Sequence, residues 1–102
     1  MNKALAMYAS MRTYRNVRRP AEVNRRVESG LGPLLRGMKG FHSYYLFHGQ
    51  DGATAVSLFE TEEAATASGR IATDWARENL ADLYEGEMPE VVGAEVFVAC
   101  DA

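Results

Sequence analysis

The sequence has little cysteine and no long apolar run, and these two absences exclude several classes of protein. Its single cysteine, Cys100, has no partner in the chain, which argues against a disulfide-stapled secreted domain. No stretch reaches the ~18–20 consecutive apolar residues of a membrane-spanning helix. The opening residues, MNKALAMYASM, lack the apolar segment and cleavage site of a signal peptide. We therefore expect a cytoplasmic protein that has no membrane partner.

The sequence motifs of metal, nucleotide and serine-hydrolase chemistry are also missing. The nine glycines are scattered, with no phosphate-binding loop and no GxSxG elbow. His42 and His48 are the only histidines. Their separation along one strand is roughly 20 Å, and neither has cysteine or acidic neighbours on its own face. We expect no metal site and no cofactor.

Length and charge indicate one ordinary globular domain over residues 1–102. The chain is 47% apolar and 25% charged, with a net charge of −3 and a pI near 5.3, which argues against a general nucleic-acid binder. Residues 1–40 nevertheless carry nine of the eleven Lys and Arg residues. Either this half binds nucleic acid, or a basic helix lies beside an acidic one. We favour the second interpretation, because no aromatic residues alternate with the arginines of RRPAEVNRR.

Hydrophobic periodicity divides the chain into alternating strands and helices. Strand patterns cover residues 4–14, 41–48, 53–60 and 90–99, and helical spacing covers residues 20–38 and 61–83. This order predicts an α+β, ferredoxin-like β-α-β-β-α-β fold, with a four-stranded antiparallel sheet and helices on one face.

Glycine and proline mark where the helices should begin, bend and end. Pro20 suits the first position of a helix, and Thr61 suits the cap of the second. Pro33 predicts a kink or a short break in the first helix. Gly69 predicts a bend or break in the second helix, and Gly86 predicts its end.

The hairpin formed by the second and third strands is apolar on both faces. One face of the second strand carries Phe41, Ser43, Tyr45 and Phe47, and the other carries His42, Tyr44, Leu46 and His48. Two helices can cover only one face of the sheet, and soluble monomers avoid large exposed apolar patches. A second copy of the sheet is the simplest cover, so we expect a homodimer.

An aromatic cluster is the best candidate for a ligand pocket. Trp75 is the central pocket candidate. The others are Phe41, Tyr45, Ser57, Phe59 and Arg70, and Tyr84 is a further residue that could line the pocket. Trp75 either lines this pocket or fills the space between helix and sheet, and the residue pattern leaves both open. His42 is the candidate general base, with a buried, hydrogen-bonded histidine as the alternative. Arg12 or Arg70 would hold an anion.

Several stretches resemble the dimeric α/β-barrel superfamily, and in particular its antibiotic biosynthesis monooxygenase-like domains. These stretches are KGFHSYYLF, ATAVSLFETEEAA, IATDWARENLADL and EVVGAEVFVA. The resemblance covers nearly the whole chain and implies two ferredoxin-like subunits whose sheets join into a barrel. Some members of that superfamily oxidise phenols with O₂ and no metal or flavin, and others cleave haem.

The side chains that carry those two activities are absent. The Asn, Trp and Tyr of the phenol-oxidising pattern fall at Ala55, Phe59 and Ala65, and no histidine follows His48 for haem cleavage. Two functions therefore stay open. One is a small-molecule-binding, cofactor-independent monooxygenase that acts on a small aromatic or enolic metabolite. The other is a non-catalytic homodimeric structural or regulatory module.

Overall fold

A computed structural model describes residues 7–50, 52–84 and 90–96, and for the last range it describes the backbone alone. The chain forms the strand β1 (Met7–Arg15), the helix α1 (Pro20–Arg26), a π-helical turn (Val27–Leu31) and the helix α2 (Gly32–Arg36). The hairpin strands β2 (Phe41–His48) and β3 (Gly52–Phe59) follow, then the helix α3 (Glu62–Asn79) and the strand β4 (Glu90–Val96).

The four strands form one antiparallel sheet in the order β2-β3-β1-β4. β1 and β3 occupy the centre, and β2 is an edge strand. This order and the sequence of elements confirm the predicted ferredoxin-like α+β fold. A hairpin connects β2 to β3. The pairs β1–β3 and β1–β4 are not joined by hairpins, because helical segments connect β1 to β2 and β3 to β4.

An irregularity in β2 places Phe41 on the face opposite to the one that the alternating pattern predicted. The register shifts between Phe41 and Ser43, so that Phe41 lies opposite Phe59 while Tyr44 lies opposite Ser57. The Phe41 and Phe59 rings meet edge to face, with centroids 5.6 Å apart. Because a bulge adds one residue to a strand, it reverses the faces of the residues on either side of it. Phe41 therefore does not share a face with Tyr45.

The first helical segment begins at Pro20 as predicted, and its expected interruption is a π-helical turn. α1, the turn and α2 follow one another without a non-helical residue. The turn places Gly30 against Trp75 of α3. A Cβ atom at Gly30 would lie 2.6 Å from Cζ2 of that ring, so the close approach requires glycine.

α3 is a continuous helix of 18 residues, and the predicted break at Gly69 was wrong. Gly69 is buried, and a glycine inside a helix is tolerated where packing compensates for its low propensity. The predicted cap is confirmed, because the Thr61 hydroxyl accepts a hydrogen bond from the Ala64 N–H at 3.1 Å. The helix ends at Asn79. The predicted stop at Gly86 and the residue Cys100 lie outside the described residues.

The core lies between the sheet and the helices. It is formed mainly by α1, the π-helical turn, α3 and the inward side chains of the sheet: Tyr14, Val23, Val27, Leu31, Leu35, Ala72, Ala76, Leu80 and Leu83. The opposite face of the sheet, the open face, carries Met11, Tyr45 and Phe47, which are 39%, 52% and 55% exposed. Leu58 and Val56 of β3 lie beside them in register and are half-buried.

Candidate functional site

A groove of about 550 Å³ runs between the first helical segment and the edge strand β2. Its volume falls within the roughly 300–1,000 Å³ of small-molecule sites. One wall comes from α1, the π-helical turn and α2, and the other comes from β2. The residues that line it are Asn24, Val27, Glu28, Gly32, Arg36, Phe41, Ser43, Tyr44, Leu46 and His48. We call this feature the β2 groove.

A small inner cavity adjoins the β2 groove. Val27, Tyr44 and Leu46 border both spaces. The remaining wall is apolar and aromatic: Tyr14, Val17, Val23, Leu31, Ala53, Trp75, Ala76, Leu80, Leu83 and Tyr84. The inner cavity measures about 20 Å³, which is room for about one water molecule. A ligand ring therefore fits in the groove, and reaches the inner cavity only if Val27, Tyr44 or Leu46 moves.

The Trp75 ring extends from α3 toward the π-helical turn. It packs against Gly30 and also borders the inner cavity. Tyr14 and Tyr84 meet edge to face on the same cavity wall, with centroids 5.4 Å apart. The two roles that the sequence left open for Trp75 both stay open, because its ring packs against Gly30 and also lines the inner cavity.

Arg12 is a fully buried cation beside this wall. Its side chain is 0% exposed. The guanidinium donates to the Ser10 hydroxyl at 3.2 Å and to the Ser57 hydroxyl at 3.0 Å, and its carbon atom lies 5.9 Å from the centre of the Tyr44 ring. The Nε–H group donates to no acceptor among the described residues. The sequence offered Arg12 as an anion holder, and the structure shows that it is buried.

Burial makes the two tyrosines beside Arg12 harder to ionise. Desolvation raises the pKa of Tyr14 to about 12, and the positive charge of Arg12 opposes part of that rise. Desolvation likewise raises the pKa of Tyr44 against the same charge. Both phenols are therefore neutral at physiological pH. They can donate hydrogen bonds to a ligand, but they cannot act as bases.

His48 is the histidine of β2 that lines the groove. Its Nε2 atom lies 2.7 Å from Oδ1 of Asn24 on α1. An amide oxygen only accepts hydrogen bonds, so this contact keeps the proton on Nε2 and leaves Nδ1 as the basic nitrogen. His42, the base candidate from the sequence, is exposed, and its Nδ1 atom lies 3.0 Å from the Ser43 hydroxyl. His42 does not line the β2 groove.

The other pocket candidates from the sequence fall into two groups. Phe41 lines the groove, while Ser57 and Phe59 are fully buried on the inward face of β3. Tyr45 lies on the open face, across the sheet from Trp75, because the β2 bulge shifts the alternation. Arg70 is exposed on α3 and lines neither space. The structure therefore does not bring Tyr45 and Arg70 together with the remaining candidates.

Sequence reasoning missed Asn24, Tyr44 and His48 as groove residues. Tyr44 and His48 share a face with Leu46 in the alternating pattern of β2, and this was the one available signal. It did not show which face the helices cover. Asn24 carried no signal, because its role depends on how α1 lies against the edge strand.

Ion pairs hold the first helical segment over the cavity. Arg26 bonds to Glu22 at 2.7 Å within α1, and to Asp82 at 2.9 Å and the Asn79 carbonyl at 2.8 Å across the end of α3. On the other side, the Asn24–His48 contact joins α1 to β2. The expected meeting of basic and acidic segments is thus present where Arg26 meets Asp82.

Metal-ligand clusters and membrane-spanning helices are both absent from the described ranges. Those ranges contain no group of three or more His, Cys, Asp or Glu side chains placed to hold a metal ion. Among the helices described, none is long and apolar enough to cross a membrane.

Comparison with solved structures identifies the fold. A monooxygenase from the gene ActVA-Orf6 of Streptomyces coelicolor, solved with nanaomycin D, is 21% identical and superposes with a TM-score of 0.71 over 99% of this chain and 96% of its own. NE2512 of Nitrosomonas europaea, a protein of unknown function, is 19% identical, with a TM-score of 0.71 over 98% of each chain. SnoaB, a cofactor-independent oxygenase from Streptomyces nogalater, is 12% identical, with a TM-score of 0.56 over 97% of each chain.

Sequence comparison gives a different result. No protein-family model matches the chain. No curated protein matches it either. The structural likeness extends over nearly the full length of the chain and of its neighbours, and it agrees with the resemblance carried by the sequence motifs. The chain therefore has the ferredoxin-like fold that is found in antibiotic biosynthesis monooxygenases.

Proposed function

We propose that this protein binds a small aromatic or enolic metabolite in the β2 groove and oxygenates it without a cofactor. One observation carries the proposal: the groove has the volume of a small-molecule site and shares a wall with an aromatic inner cavity. The fold supports it, since two of the structural neighbours are described as a monooxygenase and a cofactor-independent oxygenase.

The chemistry requires a base and a shaped apolar surface. Nδ1 of His48 takes the proton from a phenol or an enol in the groove, and the resulting anion is electron-rich enough to react with O₂ directly. For a phenol with a free para position, one O₂ gives one quinone and one water. One oxygen atom of O₂ enters the ring and the other leaves in the water.

We further propose that the functional unit is a homodimer joined through the open face of the sheet. Met11, Tyr45 and Phe47 project from that face at neighbouring positions, together with Val56 and Leu58. An apolar patch of this kind is rare on monomers. Because β1, β2 and β3 all contribute side chains to this face, a second copy of the same face can cover all of them at once.

A non-catalytic module is the second candidate. The specific observation in its favour is the small inner cavity, which Trp75 and its neighbours nearly fill. Phe59 and Ala55 are fully buried where the phenol-oxidising relatives carry Trp and Asn. In this alternative the interior serves only to hold the sheet and helices together.

Oxygen uptake with 1-naphthol as substrate distinguishes the two candidates. The purified protein, treated with a chelator, should consume O₂ and form 1,4-naphthoquinone and water in equal amounts. His48→Gln removes the base but keeps a donor for Asn24, and should lower the rate by ~100-fold or more. His42→Gln is the matched control and should leave the rate unchanged. If the protein takes up no O₂, or if both variants lose the same activity, the oxygenase proposal is wrong and the non-catalytic module is favoured.

A further inference from the structure

Arg12 carries a buried charge that no carboxylate of residues 7–50 or 52–84 neutralises. Arginine is almost never fully buried unless it is paired, because removing a charge from water is costly. No Asp or Glu among the described residues contacts Arg12. The acceptors it does contact are neutral oxygens of Ser10 and Ser57, and its hydrogen bonds to Tyr14 and Tyr44 also act on the pKa of those phenols. Its Nε–H group has no acceptor there. Neutral hydroxyl and carbonyl oxygens and one aromatic face are weak compensation for a full positive charge.

The position of Arg12 relates this charge to the ligand site. Its guanidinium lies over the ring of Tyr44, and that ring borders both the β2 groove and the inner cavity. The Arg12 charge also acts on Tyr14, on the other part of the cavity wall. The unpaired cation is therefore separated from the ligand space by one layer of phenol side chains, whose hydroxyl groups remain protonated and able to donate.

We propose that Arg12 is the anion-binding residue of this site, and that the ligand class is aromatic molecules held there as delocalised monoanions, whether they arrive as the anion or lose their proton to His48, such as phenols, enols and vinylogous acids. This inference rests on the proposed function and specifies its substrate. The aromatic body of the ligand occupies the β2 groove. Its anionic oxygen accepts from the Tyr14 and Tyr44 hydroxyls and is neutralised by Arg12, either through these phenols or at the Nε–H group after Tyr44 turns aside.

A purely structural role explains the residue less well. A structural role would require only a side chain that fills the space and donates to the two serine hydroxyls. Those hydroxyls do not depend on such a donor, because a serine hydroxyl can itself donate to a backbone carbonyl. An unbranched apolar side chain such as methionine would fill the same space without desolvating a charge. A charge maintained at such a cost is typical of functional sites.

Binding of a matched ligand pair tests the proposal. The two probes are 2-hydroxy-1,4-naphthoquinone, which is an anion at neutral pH, and its neutral 2-methoxy ether. Trp75, the only tryptophan, reports binding by quenching of its fluorescence. The wild-type protein should bind the acid at least about tenfold more tightly than the ether, which is the contribution of one charge-assisted hydrogen bond. Arg12→Met should remove this preference and leave the affinity for the ether unchanged.

Arg70→Met is the control, because Arg70 is exposed and lies outside both spaces. It should retain the wild-type preference. The proposal is overturned if wild-type protein binds both probes equally, or if the preference survives in Arg12→Met. It is also overturned if Arg12→Met lowers the affinity for acid and ether by the same factor, which would indicate a structural role.

Stability of the ligand-free protein separates failure of this inference from failure of the proposed function. If neither probe binds wild-type protein, the groove is not the aromatic site and the proposed function fails. Denaturant unfolding then decides the role of Arg12 by itself. A higher midpoint for Arg12→Met than for wild type supports an unneutralised buried cation. A lower midpoint, or failure to fold, shows that Arg12 holds the core together and overturns the inference.

Discussion

At the scale of single residues, the contact between Gly30 and Trp75 gives the sharpest stability prediction. A Cβ atom at Gly30 would lie 2.6 Å from Cζ2 and 2.9 Å from Nε1 of the indole. Gly30→Ala should therefore lower the free energy of unfolding by ~1–3 kcal/mol, because the ring must shift within a packed core. Urea denaturation, followed by the fluorescence of Trp75, measures both the loss of stability and the displaced ring.

Gly32→Ala is the matched control for this prediction. A Cβ atom at Gly32 would meet its nearest neighbour, the Val27 carbonyl, at 3.4 Å, which is tolerable contact. Alanine also has the higher helix propensity, so this variant should be unchanged or more stable by up to ~1 kcal/mol. Equal losses in the two variants would show that helix geometry, and not the Trp75 ring, makes glycine necessary here.

The individual site residues were only partly predictable from the sequence. The helical spacing of residues 61–83 puts Trp75, Ala72 and Ala76 on one face of a helix, and in the structure Ala72 and Ala76 are buried while Trp75 lines the inner cavity. Periodicity could not rank the two histidines, because their order of importance depends on the contact between His48 and Asn24, which are 24 residues apart. Arg12 was visible as a charge in an apolar strand, but whether a carboxylate lies beside it depends on the packed core, and none of the side chains in residues 7–50 and 52–84 supplies one.

At the scale of secondary-structure elements, the segment formed by α1, the π-helical turn and α2 forms one wall of the site. Pro33 and the two glycines near it predicted an interruption, and the chain inserts a π-helical turn at Val27–Leu31. Such turns are rare in proteins as a whole, but a large share of those that occur lie at functional sites. Here the turn directs Val27 and Leu31 into the inner cavity and brings Gly30 against Trp75. The bulge in β2 was not predictable in the same way, since no glycine or proline marks it.

The attachment of α1 should weaken in acid. Hydrogen bonds from Arg25 and Arg26 lower the pKa of Glu22 from 4.5 to about 2. A folded-state pKa below the unfolded one stabilises the protein above pH 4.5, and that stabilisation is lost as the pH falls from about 4.5 to about 2. Glu22→Gln should be less stable than wild type at neutral pH, and the difference should disappear across this interval. Thermal unfolding at a series of pH values measures it.

Glu63→Gln is the control, because Glu63 is an exposed residue in the first turn of α3, away from α1. Its difference from wild type should not follow the Glu22 interval. If the difference between Glu22→Gln and wild type were constant from neutral pH down to pH 2, the ion pairs of Arg25 and Arg26 would contribute nothing to the attachment of α1.

At the scale of the whole molecule, the fold was the most predictable property. The fold follows from the order of four strand patterns and two helical ones along the chain, and from the single short hairpin at GQDG. Errors were confined to the faces and ends of elements, such as Phe41 and the uninterrupted α3. Those details depend on which side chains meet across the core. Local patterns do not contain that information.

The open face of the sheet predicts how the whole molecule assembles. The double variant Tyr45→Glu/Phe47→Glu places two charges on that face and should convert a dimer into a monomer, because burying unpaired charges is costly. Light scattering on a sizing column measures the mass. Leu34→Glu is the control, since Leu34 is also about half exposed, at 51%, but lies on α2. Wild-type protein that is monomeric at all concentrations would contradict the dimer proposal, and so would a dimer that survives in the double variant.

The central claim of this account, that the β2 groove is a ligand site, is tested most directly by filling it. Gly32 lines the groove, and its backbone accepts a side chain, so Gly32→Phe should occupy the space while the protein stays folded. Gly37→Phe is the control, because Gly37 is exposed on the same segment outside the groove. The measurement is the titration of wild type and both variants with 1-naphthol, followed by Trp75 fluorescence. Saturable binding to wild type and Gly37→Phe, but not to Gly32→Phe, is the predicted result. Equal binding to all three proteins, or binding to none, would contradict the account.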